Sequence, residues 1–492
     1  MAALATDSPE RLAELAEQAI RDGTEDRAEP RLAAWCKAHP GDSGVRHWLA
    51  LLQRSLDCRE AALDTLAAAR EIAPGDAALA HAQAQVALEA GIPANDLFLA
   101  AIRLAPGNGE LRLGLATARF DTGNGELGLA ELDAMLVANP GWYDGHRAYA
   151  QLAALLGHPD AALAPIRRAL KIFPAAETLH HLAINLLLDA ERFDEAFAAT
   201  EAALVALGDV PEIRLALATA LDELGEGDKA RALFVALGPA RDPGHAVRRA
   251  RHLLRSGMPG EVSKEIEPWL TREGQETIWP YAALAWRMIG DPRSDWLDRQ
   301  DGLVSIRDFP IEDSELALLV PLMRKLHRAA GRFLDQSVRQ GTQTAGPLLA
   351  RIDPPLGALR ERLRLAVSDH VARLPAPDPG HPTLRLRRDR RPRFAGSWSV
   401  RFDGAGVHAS HHHPQGWLSA VFYVSVPQRL AGEEGRLVLG EGPSDLATGV
   451  PALRLVEPRP GRLVIFPSWM WHATRPFSGS ERMTIAFDIA RP

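Results

Sequence analysis

Prolines recur through the first half of the chain at a nearly constant interval: Pro40, Pro74, Pro106, Pro140, Pro174 and Pro211 are separated by 34, 32, 34, 34 and 37 residues. Proline cannot continue a helix and commonly stands just past a helix end. Between the prolines, turn positions recur at Gly91, Gly123, Gly157 and Gly225, with Glu191 where the series asks for another glycine. Each interval therefore holds two helices joined by a tight turn, and each proline is read as ending a second helix. In the segment GHPDAALAPIRRALKIFP, residues Ala162, Leu163, Ile166, Ala169, Leu170 and Ile172 keep helical spacing and supply a stripe for a neighbouring pair to pack on.

A two-helix unit of about 34 residues resembles the tetratricopeptide repeat (TPR). The resemblance implies a stacked superhelix over residues 1–290, whose concave surface recruits a protein or peptide. Lone residues such as Trp48, Tyr143 and His146 are as readily packing residues as contacts. With 492 residues the chain exceeds one ordinary domain. Hydrophobic residues at 46% and charged residues at 24% exclude bulk disorder. No stretch approaches the roughly 18 apolar residues of a membrane span, and the start lacks a signal-peptide pattern. The two cysteines, Cys36 and Cys58, have no paired spacing, so a reduced, cytoplasmic setting is expected, with no membrane partner. A formal charge of -7 argues against nucleic acid as a partner of the whole chain.

Near Asp291 the repeat stops, and a boundary is expected between Ala285 and Gln300. Helical patterning returns in ELALLVPLMRKLHRAAGRFL and LGALRERLRLAVSDHVARL, giving a helical connector over 291–380. From about His381 to residue 492 the texture is that of short strands: LRLRR, SWSVRF, WLSAVFYVSV, GRLVLG, LRLVEP, GRLVIF and RMTIAFDI. The fold class expected is multidomain α + β, an all-α TPR superhelix followed by a double-stranded β-helix, or jelly roll, with flanking helices. Arg385 to Arg393 packs six arginines into nine residues, which reads as a solvated strand face or an anion-attracting rim in preference to a nucleic-acid site.

The chemistry concentrates near the end of the chain. Of 17 histidines, His408, His411, His412, His413 and His472 fall in the last 90 residues, the first four within GVHASHHHP. In extended backbone, positions i and i+2 share a face, so His411 and His413 point together and His412 away. Neutral imidazole is a common ligand of iron, zinc and copper, and His472 from a later strand completes a set of three. Taken alone, the cluster is equally a solvated histidine-rich loop. Along RMTIAFDI, Arg482, Thr484, Ala486 and Asp488 alternate with Met483, Ile485, Phe487 and Ile489, placing a guanidinium and a hydroxyl on one face, a pairing suited to a carboxylate.

The segments GVHASHHHPQGWLSAVFYVSVP, GRLVIFPSWMWHATRPF and ERMTIAFDI, with DQSVRQGTQT and FAGSWSVRF, resemble a family of bacterial iron(II) and 2-oxoglutarate dependent oxygenases often found behind tetratricopeptide repeats. The resemblance covers about residues 291–492. It implies a dioxygenase that hydroxylates a C–H bond, with Fe(II) as cofactor and 2-oxoglutarate and O2 as cosubstrates. It further implies His411, His413 and His472 as iron ligands, and Arg482, helped by Thr484 and Tyr423, as the holder of the cosubstrate carboxylate. The wider superfamily commonly carries a carboxylate where His413 stands. A three-histidine set is the reading favoured here; Asp403 or Asp488 is the alternative acid, and His408 either replaces His411 or orients a ligand. The competing functional readings are a nonenzymatic TPR adaptor with a degenerate jelly roll and a small-molecule hydroxylase.

Overall fold

The computed structural model describes residues 8–272, 276–331, 334 and 338–492; Asp335–Ser337 of the DQSVRQGTQT segment and residues 1–7 lie outside them. Helices run in antiparallel pairs from Pro9–Asp22 to Pro259–Leu270. Fully buried alanines, among them Ala62, Ala101, Ala150, Ala196 and Ala250, let neighbouring helices approach closely. Helices end at Ala38, Ile72, Leu104, Ala138 and Ile172, two residues before each of the first five prolines. Pro211 differs: the preceding helix stops at Leu207, capped by Gly208, and Pro211 opens the next helix, Pro211–Glu223, where its fixed φ and missing N–H cost nothing. Ile172, expected in the packing stripe, is 58% exposed because it is the last residue of its helix.

The turns within the pairs share one backbone state. Gly91, Gly123, Gly157 and Gly225 have φ between 78° and 88°, and Glu191 adopts φ 59° in the same series, as Asp57 does at 63° one repeat earlier. These turns form the face on which the rest of the chain rests. Asp57 pairs with buried Arg364 at 2.9 Å, Ala90 O accepts from Ile352 N, and Glu191 pairs with Arg339. Leu155 O accepts from the N–H groups of both Ala330 and Gly331. A Cβ on Gly331 would sit 2.0 Å from Ala154 O, so only glycine fits that approach. This docking is also why the helix Asp313–Leu326 stops short of the longer helical pattern: the chain after it turns to meet the solenoid.

Eleven strands follow or interrupt the connector: β1 Ser305–Asp308, β2 Val338–Arg339, β3 Thr342–Gln343, β4 Phe394–Phe402, β5 Gly406–His411, β6 Leu418–Ser425, β7 Leu437–Leu439, β8 Arg454–Val456, β9 Arg462–Pro467, β10 His472–Phe477 and β11 Arg482–Ile489. They form two antiparallel sheets, ordered β1-β9-β6-β11-β4-β3 and β2-β5-β10-β7-β8. Such a pair of interleaved antiparallel sheets is a jelly roll. Met483, Ile485, Phe487 and Ile489 of β11 pack with Leu418, Ala420 and Phe422 of β6 under the helices Asp313–Leu326 and Pro354–Arg373. At the second sheet, Trp471 and Leu439 share one apolar core with Ala250, Trp279 and Trp286 from the end of the solenoid, and Trp471 Nε1–H donates to Pro280 O at 3.0 Å.

The stretch LRLRR is not a strand; residues 384–388 make turns and irregular backbone. Of the six arginines from Arg385 to Arg393, Arg387 and Arg391 are exposed, and the other four act as a clasp within the molecule. Arg385 pairs with Glu276 at 2.9 Å, Arg388 donates to the Leu374 and Pro375 carbonyls, Arg390 to Asp22 O, and Arg393 pairs with Glu25 at 2.7 Å.

Candidate metal centre

The apolar face of β11 points outward to the helices, so its other face looks between the sheets. There Arg482 and Thr484 line one small cavity together with His408, His411, His413, His472, Ser419, Trp398 and Asp488. His411 ends β5 and His472 begins β10, and the two are direct cross-strand partners. Their ring centroids lie 4.1 Å apart, and His413 lies 5.0 Å from each. One ligand nitrogen from each of the three falls within 4.8 Å of the others. Residue 412 points the opposite way, its ring 4.6 Å from that of Trp471, as the i, i+2 alternation requires.

The hydrogen bonds around these rings settle which nitrogen is free. His411 Nδ1 lies 2.8 Å from Ala409 O, His472 Nδ1 lies 3.0 Å from Met470 O, and His413 Nδ1 lies 2.8 Å from Asp488 Oδ1. Each partner can only accept, so each Nδ1 carries the proton and each Nε2 keeps a lone pair. A carboxylate, carbonyl or water behind a ligating imidazole is the usual arrangement at metal sites, because it fixes the tautomer and raises ligand basicity. Burial drives His411 and His472 well below the ordinary histidine pKa, reinforced at His411 first by His472 and at His472 by His413. Burial likewise lowers His408 to about 3, with His413 and Arg482 adding to the effect. His408, His411 and His472 are therefore neutral near pH 7, and for His411 and His472 that is the state a metal ligand needs.

Asp488 stands one bond network outward: its Oδ1 accepts from His413 and, at 2.6 Å, from the Ser419 hydroxyl. Asp403, the other acid considered, is 80% exposed beside Arg401 and absent from the cavity. His408 pairs with Thr474 across β5 and β10, its ring 4.4 Å from that of His411. The position of Asp488 was readable from the alternation along β11; Ser419 and Trp398 gave no signal in the sequence.

Arg482 is 2% exposed and has no ion-pair partner among the described residues. Its guanidinium carbon lies 5.3 Å from the Tyr423 ring centre, and Tyr423 faces Thr484 in the β6–β11 register. Burial pulls Arg482 below the usual arginine range, offset in part by Tyr423. Arg482 Nε is buried without a hydrogen-bond partner among the described residues. An uncompensated buried cation costs several kcal/mol, roughly, and an anion placed beside it offsets that cost. The donor set thus fits a divalent metal on three imidazoles next to a carboxylate-bearing ligand on Arg482.

Residues 396–488 match the family model described as "Putative 2OG-Fe(II) oxygenase". The β-domain resembles that oxygenase family. Residues 146–249 match a tetratricopeptide repeat model. Among solved structures, a prolyl-4-hydroxylase from Pseudomonas putida is similar at 17% identity, covering 39% of this chain and 93% of its own, with a TM-score of 0.28. A tetratricopeptide repeat protein from Parabacteroides merdae is similar at 16% identity, covering 46% of this chain and 91% of its own, with a TM-score of 0.31. No curated protein sequence matches. Among the described residues, no helix is long and apolar enough to cross a membrane.

Proposed function

We propose that the chain is an iron(II) and 2-oxoglutarate dependent dioxygenase that hydroxylates a C–H bond, its repeats recruiting a protein or peptide. The observation that carries this reading is the coincidence, in one cavity, of three convergent imidazoles with a buried guanidinium that has no counter-ion among the described residues. His411, His413 and His472 would hold Fe(II) through Nε2. Arg482 would pair with the distal carboxylate of 2-oxoglutarate, with Thr484 and Tyr423 lending hydroxyls. Bound iron with 2-oxoglutarate and O2 supplies oxidative decarboxylation coupled to hydroxylation.

The protein's own share of the work follows from its side chains. Ala409 O, Met470 O and Asp488 keep the three rings in one tautomer and orientation. Asp488, drawing on the His413 proton, lends that imidazole part of the anionic character that a directly bound carboxylate would bring. Phe466, 4.8 Å from His472 between ring centres, and Trp398, 5.3 Å from His413, exclude water from the site. Arg482 supplies the fixed positive charge that selects a carboxylate and sets its orientation.

Anaerobic titration with Fe(II) and 2-oxoglutarate tests the reading. The expected result is a metal-to-ligand charge-transfer band that is absent in His472→Ala and weakened in Arg482→Ala, followed by succinate release when O2 is admitted. Absence of the band at saturating iron and 2-oxoglutarate would overturn it.

A further inference from the structure

The last repeats and the β-domain enclose a cleft of about 1320 Å3. One wall is built from the first helices of three successive pairs, Glu177–Asp189, Pro211–Glu223 and Pro243–Arg255. The other is built from β5, β10 and the loop around Glu441 to Asp445. Strands β5 and β10 are the pair that carries His411 and His472, so the cleft and the candidate metal centre share a structural wall. The two sides are held in fixed relation: Arg251 and Arg255 of the solenoid both pair with Asp445.

The charges of this cleft can be matched one against another. Glu191 pairs with Arg339, Glu223 with Arg251 and Arg255, Glu441 with Arg475, and Asp445 with Arg251. Asp189 also has a partner. Arg248, by contrast, forms no ion pair or hydrogen bond among the described residues, although it lines the cleft and is partly buried there. We propose that this cleft binds an extended polypeptide segment and that Arg248 anchors a carboxylate side chain of it. The proposal deepens the recruitment half of the functional reading above, and it stands whether or not the metal centre is loaded.

Three features choose this occupant. The volume exceeds the roughly 300–1,000 Å3 typical of compact small-molecule pockets. Apolar side chains such as Leu188, Phe193, Val247 and Val438 line it together with polar groups, which suits a chain of mixed side chains. Asp189 and Glu223 lie within electrostatic reach of Arg248, so the site tolerates one negative charge better than a phosphate dianion or a nucleic-acid backbone.

The test uses the full chain, immobilised without iron, and two pools of short random-sequence peptides differing only in a central Glu or Gln. Retention of the Glu pool should exceed that of the Gln pool about tenfold, the value of one charge-assisted contact. The excess should vanish in Arg248→Gln and return in part in Arg248→Lys. Equal retention of the two pools, or an excess unchanged in Arg248→Gln, overturns the proposal. His472→Ala separates the two readings: it should abolish the iron band and leave the Glu-pool excess intact, and loss of that excess would place the peptides at the metal centre and overturn the cleft assignment.

Discussion

The solenoid and the jelly roll keep their polar groups in place by opposite means. In the solenoid, charged residues sit at the turns and reach outward to a second body, as Asp57 does to Arg364 and Glu191 to Arg339. In the jelly roll the apolar faces of the main sheet look outward to helices, and the polar groups converge between the sheets, where Arg482, Thr484, His472 and Ser419 are all buried. A core of that kind is costly to build unless something occupies it or each group is satisfied. The contrast teaches that in this chain polarity at the solenoid turns serves cohesion, whereas polarity at the centre of the β-domain is what the proposed binding site would use.

The severest break of that contrast is at the first kind of site. Asp57 and Arg364 are both nearly inaccessible, 7% and 5% by side chain, so removing the acid strands a buried cation. Asp57→Ala should destabilise the protein by about 3 kcal/mol, softened from the upper range by Glu361, which also pairs with Arg364. Denaturant unfolding of Asp57→Ala, Arg364→Met and the double variant measures it; a coupling energy near zero would show that the turn does not hold the two bodies together.

Acid should weaken the β-domain by a comparable amount through a histidine unconnected with the metal centre. His381 is fully buried; its Nε2–H donates to Leu297 O while Nδ1 accepts from the Thr383 and Leu384 N–H groups. Burial lowers its pKa from the usual 6.5 to about 4. The unfolded chain then binds more protons than the folded one in the interval between, so this contribution is complete above pH 6.5 and is lost as pH falls through about 4, roughly 3 kcal/mol in all. Unfolding measured across that interval should show a slope shallower by about one proton in His381→Gln; an unchanged slope would reject the neutral, hydrogen-bonded imidazole.

Asp488→Asn probes the binding side more gently. The amide keeps the shape but no longer draws the His413 proton as strongly, and loss of such a partner costs about 10- to 100-fold in metal affinity. Fe(II) affinity by anaerobic titration should fall within that range while the unfolding midpoint moves little. A variant that binds iron as the parent does would mean that Asp488 is merely packed there.

Much of this arrangement was legible because it is periodic. The spacing of Gly91, Gly123, Gly157, Glu191 and Gly225 marked the turns, and all five have the positive φ that spacing implied. The i, i+2 rule brought His411 and His413 to one side and Arg482 and Thr484 to one face. What the sequence hid was non-local. Arg385–Arg393 reads as a strand from its alternation, yet its partners Glu25 and Glu276 lie more than a hundred residues away, and ion pairing at such separations leaves no local pattern. For the same reason the pairing of Ser419 with Asp488, and the solitary state of Arg248, emerge only once distant segments meet.

The finest test returns to Glu191, the one member of the turn series between Gly91 and Gly225 that is not glycine. A non-glycine residue held at φ 59° costs about 1 kcal/mol or a little more. Its carboxylate recovers part of this through Arg339, which is 25% exposed, whereas Glu191 itself is half exposed, so the pair contributes no more than about 1 kcal/mol. The two effects nearly cancel, and Glu191→Gly should shift stability by less than about 0.5 kcal/mol. Glu191→Ala, which keeps the backbone strain and loses the ion pair, should be the less stable of the two by about 1 kcal/mol. Parallel thermal unfolding decides the matter: if both variants destabilise equally, the turn carries no strain, and the acid is there for the ion pair alone.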